Sequence, residues 1–109
     1  MAWYAAKIDA GKNGTRALVA APGAGRRIRL LALWGCGSAA DGTLVVQDGA
    51  GTPVALTGTI TVDIDVDPNV NLAPIGGGGH WGECTANTAL NIVLSANMDF
   101  DGVVSYEVF

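Results

Sequence analysis

The stretch Thr59-Ile-Thr-Val-Asp-Ile-Asp-Val66 places Ile60, Val62, Ile64 and Val66 at alternate positions, with Thr59, Thr61, Asp63 and Asp65 between them. Period two predicts an extended strand with one face toward a core and the other toward water or a partner. Leu90, Ile92 and Leu94 repeat the pattern, as do Val104, Tyr106 and Val108. Arg27-Ile-Arg-Leu-Leu-Ala-Leu-Trp34 starts by alternating and then turns apolar on both faces at Leu31, Leu33 and Trp34. That half is expected to be covered twice, by a second sheet and by a loop or another subunit. No stretch keeps apolar residues at helical spacing for three turns without Gly, Pro or a β-branched cluster.

Turn residues recur instead, at Asp9 to Gly14, Pro22 to Gly25, Gly35 to Ser38, Asp48 to Pro53, Asp67 to Asn69, Gly76 to Gly79, Thr85 to Asn87 and Asp99 to Gly102. Between them lie eight segments of strand length: 3–9, 15–21, 26–34, 43–47, 54–57, 59–66, 89–95 and 102–109. This spacing predicts an all-β fold, a two-sheet antiparallel β-sandwich of jelly-roll type with about eight strands. Residues 1–8 are read as an N-terminal arm or edge strand, and 9–109 as one sandwich domain. No internal repeat suggests a propeller or solenoid.

Length and composition narrow the function. A chain of 109 residues holds one core, with no room for a separate catalytic domain. Half the residues are apolar and 15% are charged, so the core is built from Val, Leu, Ile and Ala. A mean hydropathy of +0.35 in so small a domain points to apolar surface covered by a partner. The start Met1-Ala2-Trp3-Tyr4 lacks a secretory leader and no segment is long enough to span a bilayer, so synthesis in a cytoplasm is expected. Cys36 and Cys84 are accordingly expected as reduced, half-buried thiols.

Charge is segregated. All six basic residues, Lys7, Lys12, Arg16, Arg26, Arg27 and Arg29, precede residue 30, where only Asp9 opposes them; the other nine of the ten carboxylates follow. The bland reading is balance within one folded chain; the sharper one is that basic strands of one subunit meet acidic strands of another, or an acidic host surface.

No constellation meets the requirements of catalysis. Asp63, Asp65 and Asp67 resemble the start of a calcium loop, but Pro68 follows where Gly is needed and Pro74 stands where the closing Glu belongs. On an extended strand same-face carboxylates stand about 7 Å apart, too far for all three to hold one ion. His80 with Cys84 and Cys36 offers zinc three ligands of the usual four, and nothing supplies a Cys-His pair with an orienting group or an oxyanion hole. The run Gly76 to Gly79 precedes no helix and lacks the Lys-Ser/Thr of a phosphate loop. Arg26, Arg27 and Arg29 have no aromatic platform beside them, and the pI of 4.5 speaks against nucleic acid. The expectation is a non-enzyme without metal or cofactor. Trp3, Trp34 and Trp81 are read as buried or interfacial anchors.

Across nearly the whole chain, the order of motifs resembles small tailed-bacteriophage structural proteins, the jelly-roll head-decoration (cement) and fibre-like subunits. The resemblance is carried by Thr15-Arg-Ala-Leu-Val-Ala-Ala21, Gly25-Arg-Arg-Ile-Arg-Leu-Leu31, Asp48-Gly-Ala-Gly-Thr52 with Ala55-Leu-Thr-Gly58, Trp81-Gly-Glu83, Ala89-Leu-Asn-Ile-Val-Leu-Ser95 and Gly102-Val-Val-Ser-Tyr-Glu-Val108. The Asp63, Asp65, Asp67 series and the four-glycine run depart from it. It implies a virion structural protein on the capsid exterior, a homotrimer that binds the major capsid protein and stabilises the shell, with neither nucleic acid nor membrane as partner. Contact residues are then expected at Trp3, Tyr4, Lys7, Arg26, Arg27, Arg29, Leu31, Leu33, Asp63 and Asp65. The alternative is a tail-fibre or spike module that binds a host glycan at a rim formed by His80 and Trp81.

Overall fold

The computed structural model describes residues 2–11, 14–75 and 79–109, with side chains left aside at 2, 3, 7 and 9–11. One sheet runs β1 (Ala2–Gly11), β9 (Asp99–Val108), β3 (Ile28–Ser38), β6 (Asn69–Leu72), and the two-residue β7 (Gly82–Glu83) also pairs with β3. The other runs β2 (Gly14–Val19), β8 (Leu90–Leu94), β4 (Gly42–Asp48), β5 (Ile60–Val62). Every pairing is antiparallel. The pairs β4·β5, β3·β6, β2·β8 and β1·β9 nest inside one another, as in a single long hairpin rolled into two facing sheets. That is the jelly roll expected from the turn spacing. Among the described residues no helix is long and apolar enough to cross a membrane.

Alternation builds the core. Ile28, Leu30, Leu33, Phe100 and Val104 face inward from the five-stranded sheet, and Leu44, Val46, Leu90, Ile92 and Leu94 meet them from the four-stranded one, all essentially inaccessible to solvent. At about 25 cal/mol per Å² of apolar area, burying each of these side chains stabilises the fold by roughly 1.5–3 kcal/mol.

The apolar run in β3 has a different cause from the one its sequence suggests. Its register with β9 shifts between Leu30 and Ala32, so Leu31 is an extra, half-buried residue. Ahead of this bulge Ile28 and Leu30 point inward; after it Leu33, Gly35 and Gly37 do. A change of phase therefore looks like burial on both sides. Leu33 is 1% exposed in the core, which removes it from the expected contact residues, and Trp34 is 56% exposed on the outer face, not doubly covered.

Other expectations change at their edges. β5 stops at Val62 because Asp63 Oδ1 accepts the amides of Asp65 (3.0 Å) and Val66 (3.3 Å), and the Asp67 amide donates to the Asp63 carbonyl (2.8 Å). An aspartate that captures its own following amides makes a turn where alternation alone predicts a strand. Ile64 is consequently half-buried and Val66 is 81% exposed. Residues 54–57 make only an isolated bridge, Gln47 to Ala55, whereas β6 and β7 arise where no strand was expected. The glycines at 35, 37 and 102 lie inside strands, where they make space: a Cβ at Gly35 would stand 2.4 Å from the Phe100 ring.

Candidate interaction surface

The outer sides of the two sheets differ. On the four-stranded sheet, Thr43, Gln47 and Asn91 interrupt the half-buried Val45 and Val93. On the five-stranded sheet two large apolar side chains stand exposed among the described residues, next to the register positions of Lys7 and Asp9. Trp34 stands opposite Val103 in the register, Cys36 opposite Asp101, and Ala5 opposite Ser105, and directly paired residues share a face. Val103 is 43% exposed beside Trp34. An open groove of about 800 Å³ runs along this face, lined by Ala5, Trp34, Cys36, Asp101 and Val103. A smaller one, about 170 Å³, lies on the other side of Trp34 against Ala32, Asn71, Pro74 and Ser105. The indole thus stands as a ridge between two depressions.

At one end the same face turns polar. Arg29 donates through Nε to Glu83 (2.9 Å) and through Nη1 to Glu107 (2.9 Å), and its guanidinium lies 3.7 Å from the Phe109 ring centre. The Glu83 hydrogen bond, partly opposed by desolvation and helped by Glu107, raises the Arg29 pKa. Arg27 reaches Glu83 at 3.6 Å, and His80 Nε2 lies 3.3 Å from Glu83 Oε1. For Arg27 and Arg29, the charge pattern is thus balanced within one subunit by Glu83 and Glu107.

The other expected residues are dispersed. Trp3 and Lys7 belong to β1, but their side chains lie outside the described residues, as do Gly76, Gly77 and Gly78. Tyr4 is 45% exposed and its ring lies 5.4 Å from that of Tyr106. Arg26 is exposed in the loop before β3, its amide donating to the Gly23 carbonyl (3.1 Å). Trp81 is 38% exposed, but its indole N–H is committed to the Ala73 carbonyl at 3.0 Å.

Asp63 and Asp65 do not share a strand face. The turn after Val62 swings them together with Asp41, and carboxylate oxygens of the three lie within 4.8 Å of one another. Asp41 Oδ1 also accepts the Ile64 amide at 2.9 Å, which ties the β3–β4 connection to this turn. Asp41 was outside the sequence reading because it lies 22 positions from Asp63, and only the sheet brings the two together.

Both cysteines are free, but they are not alike. Cys84 is 1% exposed, and burial, with the Asp48 carboxylate nearby, pushes its thiol up to about 12. Cys36 is exposed on the outer face beside Trp34. Half-burial of both is thus replaced by one accessible and one enclosed thiol. In dilute protein, a thiol-disulfide reagent is expected to titrate one thiol per chain before denaturation and two afterwards; two fast thiols in the folded state would contradict the placement of Cys84.

Cys36 and Val103 are surface residues that sequence reasoning missed, and Trp34, read there as a buried or interfacial anchor, stands exposed beside them. The available signal was the spacing Trp34-Gly-Cys-Gly37, which on a strand puts two side chains on one face and none on the other. No protein family model, no curated protein and no solved structure matches the chain.

Proposed function

We propose that the chain is a virion structural protein, a capsid-decoration (cement) subunit that binds the outside of a tailed-phage head as a homo-oligomer and stabilises it. The observation that carries this reading is the exposed pair Trp34 and Val103 beside an open groove on the five-stranded sheet. A rigid sandwich with such a face suits docking, because its strands hold the contact residues at fixed spacing and little order is lost on binding. The jelly roll is an architecture of viral coat proteins, lectins and enzymes alike, so it is compatible with the reading without deciding it. Mechanically, a decoration subunit acts by bridging: it buries area on several capsid proteins at once, and multiple modest contacts multiply into firm attachment. Enzymatic chemistry has no part in this.

The glycan-binding alternative draws less support. The Trp81 indole N–H is already donated to Ala73, and His80 faces Glu83, so the polar groups of that rim are engaged within the chain.

Purified protein mixed with heads that lack it is expected to pellet with them and to raise the temperature at which they release DNA. Protein that stays in the supernatant at saturating concentration, with heads no more heat-resistant, would reject the assignment; binding to host surface glycans in its place would select the tail-fibre reading.

A further inference from the structure

We infer that the free edge of β1 is where two copies of this chain join, strand to strand and antiparallel about a two-fold axis, so that their five-stranded sheets become one. The inference rests on the reading above that the chain is a homo-oligomer, names the element that joins it, and leaves the Trp34 face to the head.

The four sheet edges are not alike. At the ends of the two sheets lie β1 and, opposite it, β6 with β7; β2 and, opposite it, β5. Natural sheets keep their edges from pairing with other chains by making them short, bulged or turned away. Three of the four are treated so. β6 has four residues and β7 two, β5 has three before the Asp63 turn, and the register of β2 with β8 shifts between Ala17 and Val19. β1 is the exception: ten residues without proline, paired with β9 in one unbroken register.

The direction of its backbone groups follows from the far end of β9. The Arg27 amide donates to the Phe109 carbonyl (2.8 Å) and the Phe109 amide to the Arg27 carbonyl (3.0 Å), so position 109 turns toward β3. Backbone groups alternate in direction along a strand, so Val108, Tyr106, Val104, Gly102 and Phe100 turn toward β1. Their partners in the register are Ala2, Tyr4, Ala6, Ile8 and Ala10. The N–H and C=O groups of Trp3, Ala5, Lys7 and Asp9 therefore point away from β9, where the sheet has no further strand.

Such a row of donors and acceptors is matched along its length by an extended chain. A second copy supplies one, because a two-fold axis lays the same row against itself with every donor facing an acceptor. In sequence β1 holds one base and one acid, Lys7 and Asp9, so bringing two copies together adds no net charge of one sign. Tyr4, on the same side of β1 as the buried Ile8, is 45% exposed and gains neighbours from the added strand. The symmetry is two-fold, in contrast to the three-fold one that the sequence resemblance implies.

The test is sedimentation velocity without heads, over roughly 1 to 200 μM, the range suited to a modest contact. The mass of the wild-type chain should rise from 11.0 kDa toward twice that value. Ala5→Pro removes one outward N–H and sets its ring on the free edge, a place where sheets tolerate proline, so it should fold and associate about tenfold more weakly or worse. Amide exchange of the wild type reads the same edge without a variant. The amides of Ala5 and Lys7 should become protected as concentration rises, while those of Tyr4, Ala6 and Ile8, bonded to β9, are protected throughout. A chain that is monomeric at the highest concentration, a mass of three chains, or a dimer in which Ala5 and Lys7 stay unprotected would overturn the inference. So would protection of these amides only when heads are added, which assigns the edge to a strand of the head. Trp34→Glu separates the two readings: it should dimerise as the wild type does and fail to pellet with heads. A dimer that ignores heads defeats only the decoration assignment, and a head-binding monomer defeats only the edge pairing.

Discussion

Asp48→Ala is expected to cost about 3–5 kcal/mol of folding stability, measured by denaturant unfolding at neutral pH. Asp48 is the one fully buried charged residue among the described residues, and it serves four donors. Its Oδ1 accepts the amides of Ala50 (3.2 Å) and Val54 (2.9 Å), and its Oδ2 accepts the Thr85 amide (3.0 Å) and hydroxyl (2.7 Å). One carboxylate thus ties the turn after β4 to the segment before β8. Removing it leaves three amides without partners in a closed site, each costing about 1–3 kcal/mol if water does not enter. Asp48→Asn should also destabilise, because its NH₂ would confront one set of donors.

The pH dependence of this effect has a definite sign. Burial by itself raises the Asp48 pKa, but the hydrogen bonds from Thr85, Val54 and Ala50 outweigh it and hold the folded value below the usual 3.8. A group whose pKa is depressed on folding contributes stability above its unfolded value, and that contribution is lost as pH falls through the folded one. The gap in stability between wild type and Asp48→Asn should therefore be full at neutral pH and narrow below 3.8. A gap that is constant down to pH 2 would show that folding does not depress the pKa of this carboxyl.

Gly102→Ala is expected to be at least as damaging, with a loss above about 3 kcal/mol or no cooperative unfolding at all. A Cβ at this position would lie 1.9 Å from the Trp34 carbonyl oxygen and 2.6 Å from the Gly35 Cα. Both are backbone atoms of the central neighbouring strand, so no rotamer change relieves the overlap; β3 and β9 would have to part. Gly51→Ala is the control, since nothing lies within 4 Å of its would-be Cβ, and it should change stability by less than about 0.5 kcal/mol. Similar effects at the two glycines would contradict the close approach of β3 to β9.

Sequence patterning was most legible where alternation ran without polar competition. Leu90, Ile92 and Leu94 alternate and are buried, and the final strand keeps Val104 and Val108 inside. It misled where one residue offered the backbone another partner or shifted its phase. Asp63 converts the second half of the most regular-looking strand into a turn, and the bulge at Leu31 makes a one-sided strand look two-sided. Gly35, Gly37 and Gly102 read as turn signals because their role, yielding space to Phe100, Met98 and the β3 backbone, is set by atoms far away in sequence. The same holds for the candidate surface. Trp34 was visible as a residue, but its outward direction follows from the bulge, which only the pairing with β9 reveals.

The nesting of β1 with β9 also sets the order in which the molecule can be completed. Residues Ala2 and Val108 are partners, and β9 lies between β1 and β3, so the five-stranded sheet has no centre until the last strand has been synthesised. During translation β1 and β3 must wait with unpaired edges, while β4 and β5 can already meet. Non-local closure of this kind is slow compared with helical folds and leaves nascent chains open to mispairing. Yield in a host should therefore depend on temperature and on chaperone supply more steeply than the stability of the finished sandwich would suggest.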